Sequence, residues 1–284
     1  MLKAILELNK IKITSAVTLT TLLGFVMARG SFSVDAILPV LGILLLAGGS
    51  ASLNQYQERD TDKLMARTQN RPIPSGKISE GLALFIIFTE VILGSFLLYI
   101  GSNFLGLQLG LLALIWYNAI YTPLKKKTAY AVVPGAFIGA LPPAVGWVAG
   151  GGMISDPNIL ITGFFFFMWQ IPHFWLLTLM HGQEYEKAGF PSISGKYTES
   201  QLKRITFIWT LATAISAFFI PVFGIVDSVS QKIIIGISTI ALITIFSKLY
   251  NGTNQGFSVK KYFIIINVFL LFVMISIFID KVAY

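Results

Sequence analysis

Cysteine is absent from this chain of 284 residues, and histidine occurs only twice. Without cysteine there can be no disulfide, thiolate metal site, iron–sulfur cluster or C-x-x-C-H haem attachment. Two histidines also exclude a histidine-rich metal cage. Charged residues make up 12% of the chain, against about 25% in a typical soluble domain. Together with 55% hydrophobic residues, these shortages predict a membrane protein.

Nine apolar runs are long enough to cross a bilayer core, which takes about 20 helical residues. They cover residues 13–28, 36–54, 81–100, 104–121, 132–148, 159–180, 205–226, 231–247 and 262–279. The sequence therefore predicts an all-α, polytopic membrane protein with nine transmembrane helices. We expect one integral-membrane domain over residues 1–284, with a short amphipathic segment, residues 1–12, lying at the interface before the first span.

The basic residues indicate the orientation of these spans. Eighteen of the 21 lysines and arginines fall at the N-terminus or in every second break after it. The positive-inside rule then places the N-terminus in the cytoplasm and the C-terminus outside, in the inner membrane if the source is a bacterium. The net charge of +8 is a topology signal, with membrane lipid as the surroundings and no nucleic acid as a partner. The long polar loops, residues 54–77, 121–128 and 181–204, share the cytoplasmic face, where we expect the site.

A stripe of oxygen-bearing side chains follows the second span. Asn54, Glu58 and Asp62 are spaced i, i+4 and i+8. If the helix continues past the membrane face, they lie on one side of it, each about 6 Å along the axis from the next. Carboxylates without histidine or cysteine suit a hard cation such as Mg²⁺. The spacing therefore indicates a magnesium site of one or two ions.

Arg67 and Arg71 follow within the same segment, with Thr68 between them. Arginine side chains match phosphate oxygens in pairs of hydrogen bonds, so acids plus arginines indicate a magnesium–phosphate site. The alternative is a solvated helix extension with ion pairs four residues apart. Glu58 and Asp62 argue against that alternative, because like charges at this spacing repel.

The other two cytoplasmic loops carry further candidates. Lys125 belongs to a run of three lysines, which either anchors the topology or places one lysine near a phosphate. His173 lies within the sixth span, at a depth where polar groups are costly and are often functional; otherwise it is a packing residue. Glu184 lies just after that span and is a candidate second metal ligand, or else a surface carboxylate beside Lys187.

Two helix starts carry capping signals. Ser79 and Thr198 each precede an apolar span and are residue types that accept hydrogen bonds from the first free backbone N–H groups. Thr198 with Gln201 also fits a capping box. These residues predict where the third and seventh spans begin.

The motifs together resemble the protohaem IX farnesyltransferases, within the wider group of intramembrane aromatic prenyltransferases. Residues 54–72, NQYQERDTDKLMARTQNRP, resemble the first signature of that family. The second motif of the family is similar to YTPLKKKT at 121–128. The third is similar to WQIPHFW at 169–175 followed by EYEKAGFPS at 184–192. The resemblance covers nearly the whole chain with the same number of spans. It implies a helical bundle around a central cavity, capped by the cytoplasmic loops.

The resemblance also implies roles for individual residues. Asn54, Glu58 and Asp62 would hold the Mg²⁺ of farnesyl diphosphate and take part in catalysis. The diphosphate would contact the basic and polar residues of the motifs: Arg67, Thr68, Arg71, Tyr121 and Lys125. His173 and Tyr185 would be further catalytic residues. The wider group ends span 6 with two aspartates four residues apart, and this chain lacks that pair, which leaves Glu184 as the candidate for a second metal.

The implied reaction is transfer of the farnesyl group to a vinyl group of haem B, which gives haem O. Terminal oxidase assembly or haem A synthase would be its partners. Two other functions remain open on the sequence. A prenyltransferase acting on quinone precursors would share the acidic stripe and differ in acceptor. A transporter would favour broken helices with binding residues near the midplane, whereas here the charges gather at one face.

Overall fold

The computed structural model describes residues 1–191, 193, 195–250 and 258–283, without the side chains of Gln183 and Tyr185. Within those residues nine helices are long and apolar enough to span a membrane, which confirms the predicted number. Elements α1 to α11 are Leu2–Leu8, Ile11–Arg29, Ile37–Asp62, Glu80–Gly101, Phe104–Ile115, Thr122–Leu124, Val132–Ala149, Pro157–Lys187, Glu199–Val222, Val229–Tyr250 and Val259–Ala283. Short 3₁₀ turns, Val34–Ala36 and Ala129–Ala131, precede α3 and α7.

The spanning helices pack as a closed ring. Each contacts the next spanning helix along the chain, and α11 packs back against α2. Contacts of α2 with α7 and of α8 with α11 cross the ring. The outward face of α4 is apolar, with Phe85, Phe88, Ile92 and Phe96 exposed, as expected for a surface that meets lipid.

Small residues bring the helices together. A Cβ on Gly24 would lie 2.0 Å from the carbonyl oxygen of Pro143, and one on Gly146 would lie 1.8 Å from that of Thr21. The backbones of α2 and α7 therefore touch at both points. A similar contact between Gly42 and Gly94 joins α3 to α4. Small residues at such crossings are typical of helices packed in lipid, where apolar burial gives little driving force.

The predicted helix starts are confirmed. The Ser79 side chain accepts from the N–H of Leu82, and Thr198 forms the capping box with Gln201. The seventh span was predicted to end at residue 226, but α9 ends at Val222. The chain then turns through Gly224, which has φ 73°, a conformation that favours glycine.

Two departures from regular helix lie near the loops that are predicted to be cytoplasmic. Trp116–Tyr121 form a π-helix between α5 and α6, a feature that often occurs at functional sites. At the N-terminus, α1 and α2 are separated by Asn9 and Lys10, and Lys10 has φ 49°. The amphipathic segment is thus a short helix followed by a sharp break, and its Leu8 is buried against Ile73 and Ile78.

Candidate active site at the end of the second spanning helix

Helix α3 continues well past the predicted span and ends at Asp62, so the predicted stripe lies on one continuous helix. Asn54, Glu58 and Asp62 are 1%, 4% and 1% exposed. This burial is inconsistent with a solvated helix extension. By contrast, Asp60 on the same helix is exposed and pairs with Lys63 at 3.4 Å. The stripe is therefore the inward face of a helix end whose other side carries the surface charges.

Both carboxylates of the stripe are ion-paired with cations that the sequence associates with phosphate. The Lys125 ammonium lies 2.6 Å from Glu58 Oε1 and donates to Oε2 at 2.7 Å. Arg71 Nη1 donates to both Asp62 oxygens, at 2.9 and 2.7 Å. Buried carboxylates require such partners. If a metal ion and a phosphate bound here, the carboxylates would contact the metal ion and the basic side chains would contact the phosphate.

Asn54 is the meeting point of three elements. Its Oδ1 accepts from Lys10 Nζ at 2.9 Å and from the Tyr117 hydroxyl at 3.2 Å. Its Nδ2 donates to Thr122 Oγ1 at 3.1 Å. Lys10 and Tyr117 are site residues that the sequence interpretation missed. Lys10 was counted only as a topology residue, and the one signal for Tyr117 is that it lies one turn before Tyr121.

The ammonium group of Lys10 is held in an unfavourable environment. Its pKa is lowered from the ordinary value of 10.5 to about 7, chiefly because the group is buried. The positive charges of Arg71 and Lys125 contribute to this lowering, and the carboxylates Glu58 and Asp62 oppose it.

The loop after α3 connects the stripe to the end of α8. The backbone N–H of Arg67 donates to Glu184 Oε2 at 3.2 Å, and Met65 packs against Ala188 and Phe190. The Thr68 hydroxyl donates to the carbonyl oxygen of Asp62 at 2.9 Å and so closes the helix end. The structure thus brings two of the predicted motifs together. The predicted catalytic Tyr185 lies outside the described side chains.

A row of aromatic rings leads from the stripe into the bundle. Tyr117 stacks on Tyr121 with centroids 5.7 Å apart, and Tyr121 stacks on Phe174 at 5.9 Å. A Cβ on Gly135 would lie 2.5 Å from the Tyr121 ring, so α7 leaves room for that ring only because it has glycine there. Tyr121 and Lys125 also line a small cleft with Thr178 and Phe190.

The row ends at His173, whose ring lies 5.7 Å from Phe174. Trp169 and Phe263 enclose it at 4.7 and 4.9 Å, and Asn267 is within hydrogen-bond contact. Among the described groups, its buried Nδ1 has no hydrogen-bond partner. This environment is apolar and aromatic, and it is distinct from the charged stripe.

The donor set fits Mg²⁺ better than a transition metal. The stripe offers oxygens from one amide and two carboxylates, and its partners among the described residues include no sulfur and no imidazole. No group of three or more histidine, cysteine, aspartate and glutamate side chains that could hold an ion occurs among the described residues. A metal here would therefore depend on Asn54 and on oxygens brought by the substrate, which is how protein-bound Mg²⁺ is commonly completed.

Comparison with known proteins identifies relatives along the whole chain. Residues 17–270 match the model of the UbiA prenyltransferase family. A protein of Oleidesulfovibrio alaskensis called protoheme IX farnesyltransferase is 30% identical, and the alignment covers 100% of this chain and 98% of the relative. The protein of the same name from Geobacter sulfurreducens is 41% identical over 65% of this chain and 68% of the relative.

Solved structures show the same fold at low sequence identity. A digeranylgeranylglyceryl phosphate synthase superposes with a TM-score of 0.81 at 17% identity, covering 100% of this chain and 99% of that one. A UbiA homologue from Archaeoglobus fulgidus, bound to GPP and Mg²⁺, superposes with a TM-score of 0.68 at 16% identity over 96% of this chain and 99% of that one.

Proposed function

The chain belongs to the UbiA prenyltransferase family and is an integral membrane prenyltransferase, and we propose that it transfers the farnesyl group of farnesyl diphosphate to a vinyl group of protohaem IX (haem B). The relatives called protoheme IX farnesyltransferase support this choice of substrates, because they are 30–41% identical over most of the chain. The observation that carries the proposal is the buried stripe of Asn54, Glu58 and Asp62, with basic partners, at the inner end of α3.

The basic residues at the stripe would bind the diphosphate. Lys125 and Arg71 already lie against the two carboxylates, so both can turn to phosphate oxygens while the acids turn to a metal. Arg67 lies in the loop after α3, where its backbone N–H donates to the Glu184 carboxylate. Thr68 closes the end of α3 beside these groups, and Tyr121 lies under the ammonium of Lys125 at 5.7 Å.

Asn54, Glu58 and Asp62 would hold Mg²⁺, and Glu184 is the candidate ligand for a second ion. When bound, the metal supplies positive charge that stabilises the departing diphosphate. The chain's own arginine and lysine side chains act in the same direction, because they balance the negative charge that develops as the carbon–oxygen bond breaks. UbiA homologues bound to GPP or DMAPP together with Mg²⁺ are consistent with this arrangement.

The farnesyl carbon–oxygen bond breaks and its electron pair leaves with the diphosphate, which gives an allylic cation. The row Tyr117, Tyr121 and Phe174 would line the path of that cation and exclude water from it. The vinyl group of the haem then supplies the electron pair of the new carbon–carbon bond. Water adds to the resulting cation and loses a proton, which completes the hydroxyethylfarnesyl group. Ionisation itself needs no acid or base from the chain.

The haem would lie on the aromatic side of the bundle. His173 is suited to orient it or to accept a proton, because its Nδ1, which has no partner among the described residues, lies among aromatic rings that can pack against a porphyrin. Tyr185, next to Glu184 in the sequence, is the further proposed catalytic residue. We also propose a single domain with the stripe at the cytoplasmic face and the C-terminus outside, and terminal oxidase assembly or haem A synthase as partners of the product.

The choice of acceptor is tested with the purified protein, farnesyl diphosphate and Mg²⁺. Haem B, 4-hydroxybenzoate and a dihydroxynaphthoate are offered in separate reactions, and the products are identified by mass spectrometry. We expect haem O from the first reaction and no prenylated product from the other two. A product formed only from an aromatic acid would overturn the haem assignment and favour the quinone-precursor function.

A further inference from the structure

The break between α1 and α2 is a built feature of the site. Lys10 has φ 49°, and it is the one non-glycine residue at positive φ among those the structure describes. A residue with a side chain enters this conformation at a cost, so surrounding contacts must hold it there. The Lys10 conformation therefore indicates that something fixes the backbone of this segment.

The side chains of Glu90, Ser52 and Gln55 supply those contacts, the first two through the side chain of Asn9. Asn9 Nδ2 donates to Glu90 on α4, and the Ser52 hydroxyl donates to Asn9 Oδ1 at 2.9 Å. Gln55 Nε2 donates to the carbonyl oxygens of Glu7 and Leu8, at 3.1 and 2.8 Å. Glu90 and Gln55 are buried, so these bonds form without competition from water. The end of α1 is thereby fastened between α3 and α4.

This fastening directs the Lys10 ammonium onto the stripe. Its Nζ lies 2.9 Å from Asn54 Oδ1. The same site then holds the cations Lys10, Arg71 and Lys125 against the carboxylates Glu58 and Asp62. Lys10 thus adds a third basic side chain to the two that already face the carboxylates. A diphosphate retains negative charge even after it binds one Mg²⁺, so a third basic side chain at this place can contact it.

We propose that Lys10 is a further diphosphate-binding residue, and that Asn9, fixed by Glu90 and Ser52, is the positioning residue that keeps the Lys10 ammonium at the Asn54 end of the stripe. This inference rests on the proposed function, since it assigns Lys10 to the same diphosphate. On binding, the ammonium exchanges the amide oxygen of Asn54 for a phosphate oxygen and leaves Asn54 Oδ1 with the Tyr117 hydroxyl.

The test is binding of inorganic diphosphate in the presence of Mg²⁺, measured by isothermal titration calorimetry on the purified full-length protein. Lys10→Met keeps the apolar stem and removes the charge, and we expect it to raise the Kd about tenfold, as loss of one charge-assisted hydrogen bond would. Lys10→Arg keeps a cation and should recover most of the affinity. Lys12→Met is the matched control, since Lys12 is exposed two residues away, and its Kd should equal that of the wild type.

A double-mutant comparison separates positioning from general stability. Asn9→Ala should weaken diphosphate binding in the wild type and have no further effect in Lys10→Met, because it acts through that lysine. Ser52→Ala removes only one of the bonds to Asn9 and provides the same comparison if Asn9→Ala fails to fold. Equal weakening by Asn9→Ala in both backgrounds would overturn the positioning role.

The outcomes distinguish this inference from the proposed function. Wild-type protein that binds magnesium diphosphate, together with a Lys10→Met variant of equal affinity, would overturn the role of Lys10 and leave the proposed function standing. Wild-type protein that binds no magnesium diphosphate would overturn both. Wild-type binding with a selective loss in Lys10→Met supports the inference.

Discussion

At the scale of single residues, the site is organised by buried ion pairs. Glu58 and Asp62 are nearly inaccessible to solvent, and each is paired with one cation from a following loop. A buried pair contributes little net stability, but removing one partner leaves an uncompensated charge. The pairs therefore hold the carboxylates in place until a substrate arrives.

The Glu58–Lys125 pair allows stability and function to be separated. Lys125→Met should lower the free energy of unfolding by about 3–5 kcal/mol, because Glu58 is left buried without a partner. The double variant Glu58→Gln, Lys125→Met should regain most of that stability and remain inactive, since both site groups are gone. Thermal unfolding in detergent and the prenyl-transfer rate measure the two properties.

Lys126→Met is the control for that experiment. Lys126 is exposed in the same loop, and its loss should change neither stability nor rate. A double variant as unstable as Lys125→Met would contradict the ion-pair interpretation. An active Lys125→Met variant would contradict the role of Lys125 in binding diphosphate.

The sequence predicted the stripe at this scale but missed part of its surroundings. The spacing of Asn54, Glu58 and Asp62 follows from helix geometry, and the structure places all three on α3. Lys10 could not be found in the same way, because it reaches Asn54 from a segment 44 residues earlier in the chain. Contacts over such distances depend on how helices pack, and the periodicity of one sequence segment does not contain that information.

At the scale of elements, the spans were predictable because bilayer thickness and helix rise fix their length. The caps at Ser79 and Thr198 were equally predictable, since both depend on residues within one turn. The π-helix at Trp116–Tyr121 and the break at Lys10 were missed. Both are irregularities that long-range contacts hold in place, through Tyr117 to Asn54 and through Asn9 to Glu90.

Close contact of α2 with α7 predicts intolerance of side chains at their crossing. Gly146→Ala should lower the free energy of unfolding by about 1–3 kcal/mol, because its Cβ would meet the backbone of Thr21 and force the helices apart. Gly236→Ala is the matched control, since nothing lies within 4 Å of that position, and the alanine should stabilise α10 slightly. Thermal unfolding of both variants in detergent makes the comparison, and equal shifts would contradict the packing account.

At the scale of the whole molecule, the closed ring of helices brings together at one end the polar loops that the sequence predicts to be cytoplasmic. The positive-inside distribution predicts which side of the membrane that end faces. The site requires this orientation if its diphosphate substrate comes from the cytoplasm. The contacts between helices therefore establish the fold, whereas the distribution of basic residues predicts the orientation in the membrane.

The absence of cysteine makes the orientation straightforward to test, because any introduced cysteine is the only thiol. Met153→Cys lies in a predicted outer loop, where Met153 is 74% exposed, and should react with an impermeant maleimide added to intact cells. Lys126→Cys should react only in inverted vesicles. The reverse pattern would place the stripe on the outer side and contradict the predicted topology.

The central claim is that the buried stripe at the end of α3 is where farnesyl diphosphate ionises. The most direct measurement is the rate of haem O formation by Asp62→Asn against Asp60→Asn, two isosteric changes on one helix. Asp62 is buried against Arg71, whereas Asp60 is exposed beside Lys63. We predict that Asp62→Asn lowers the rate by about 100-fold or more while the protein stays folded, and that Asp60→Asn stays within about twofold of the wild type. Near-normal haem O formation by a folded Asp62→Asn variant would contradict the claim.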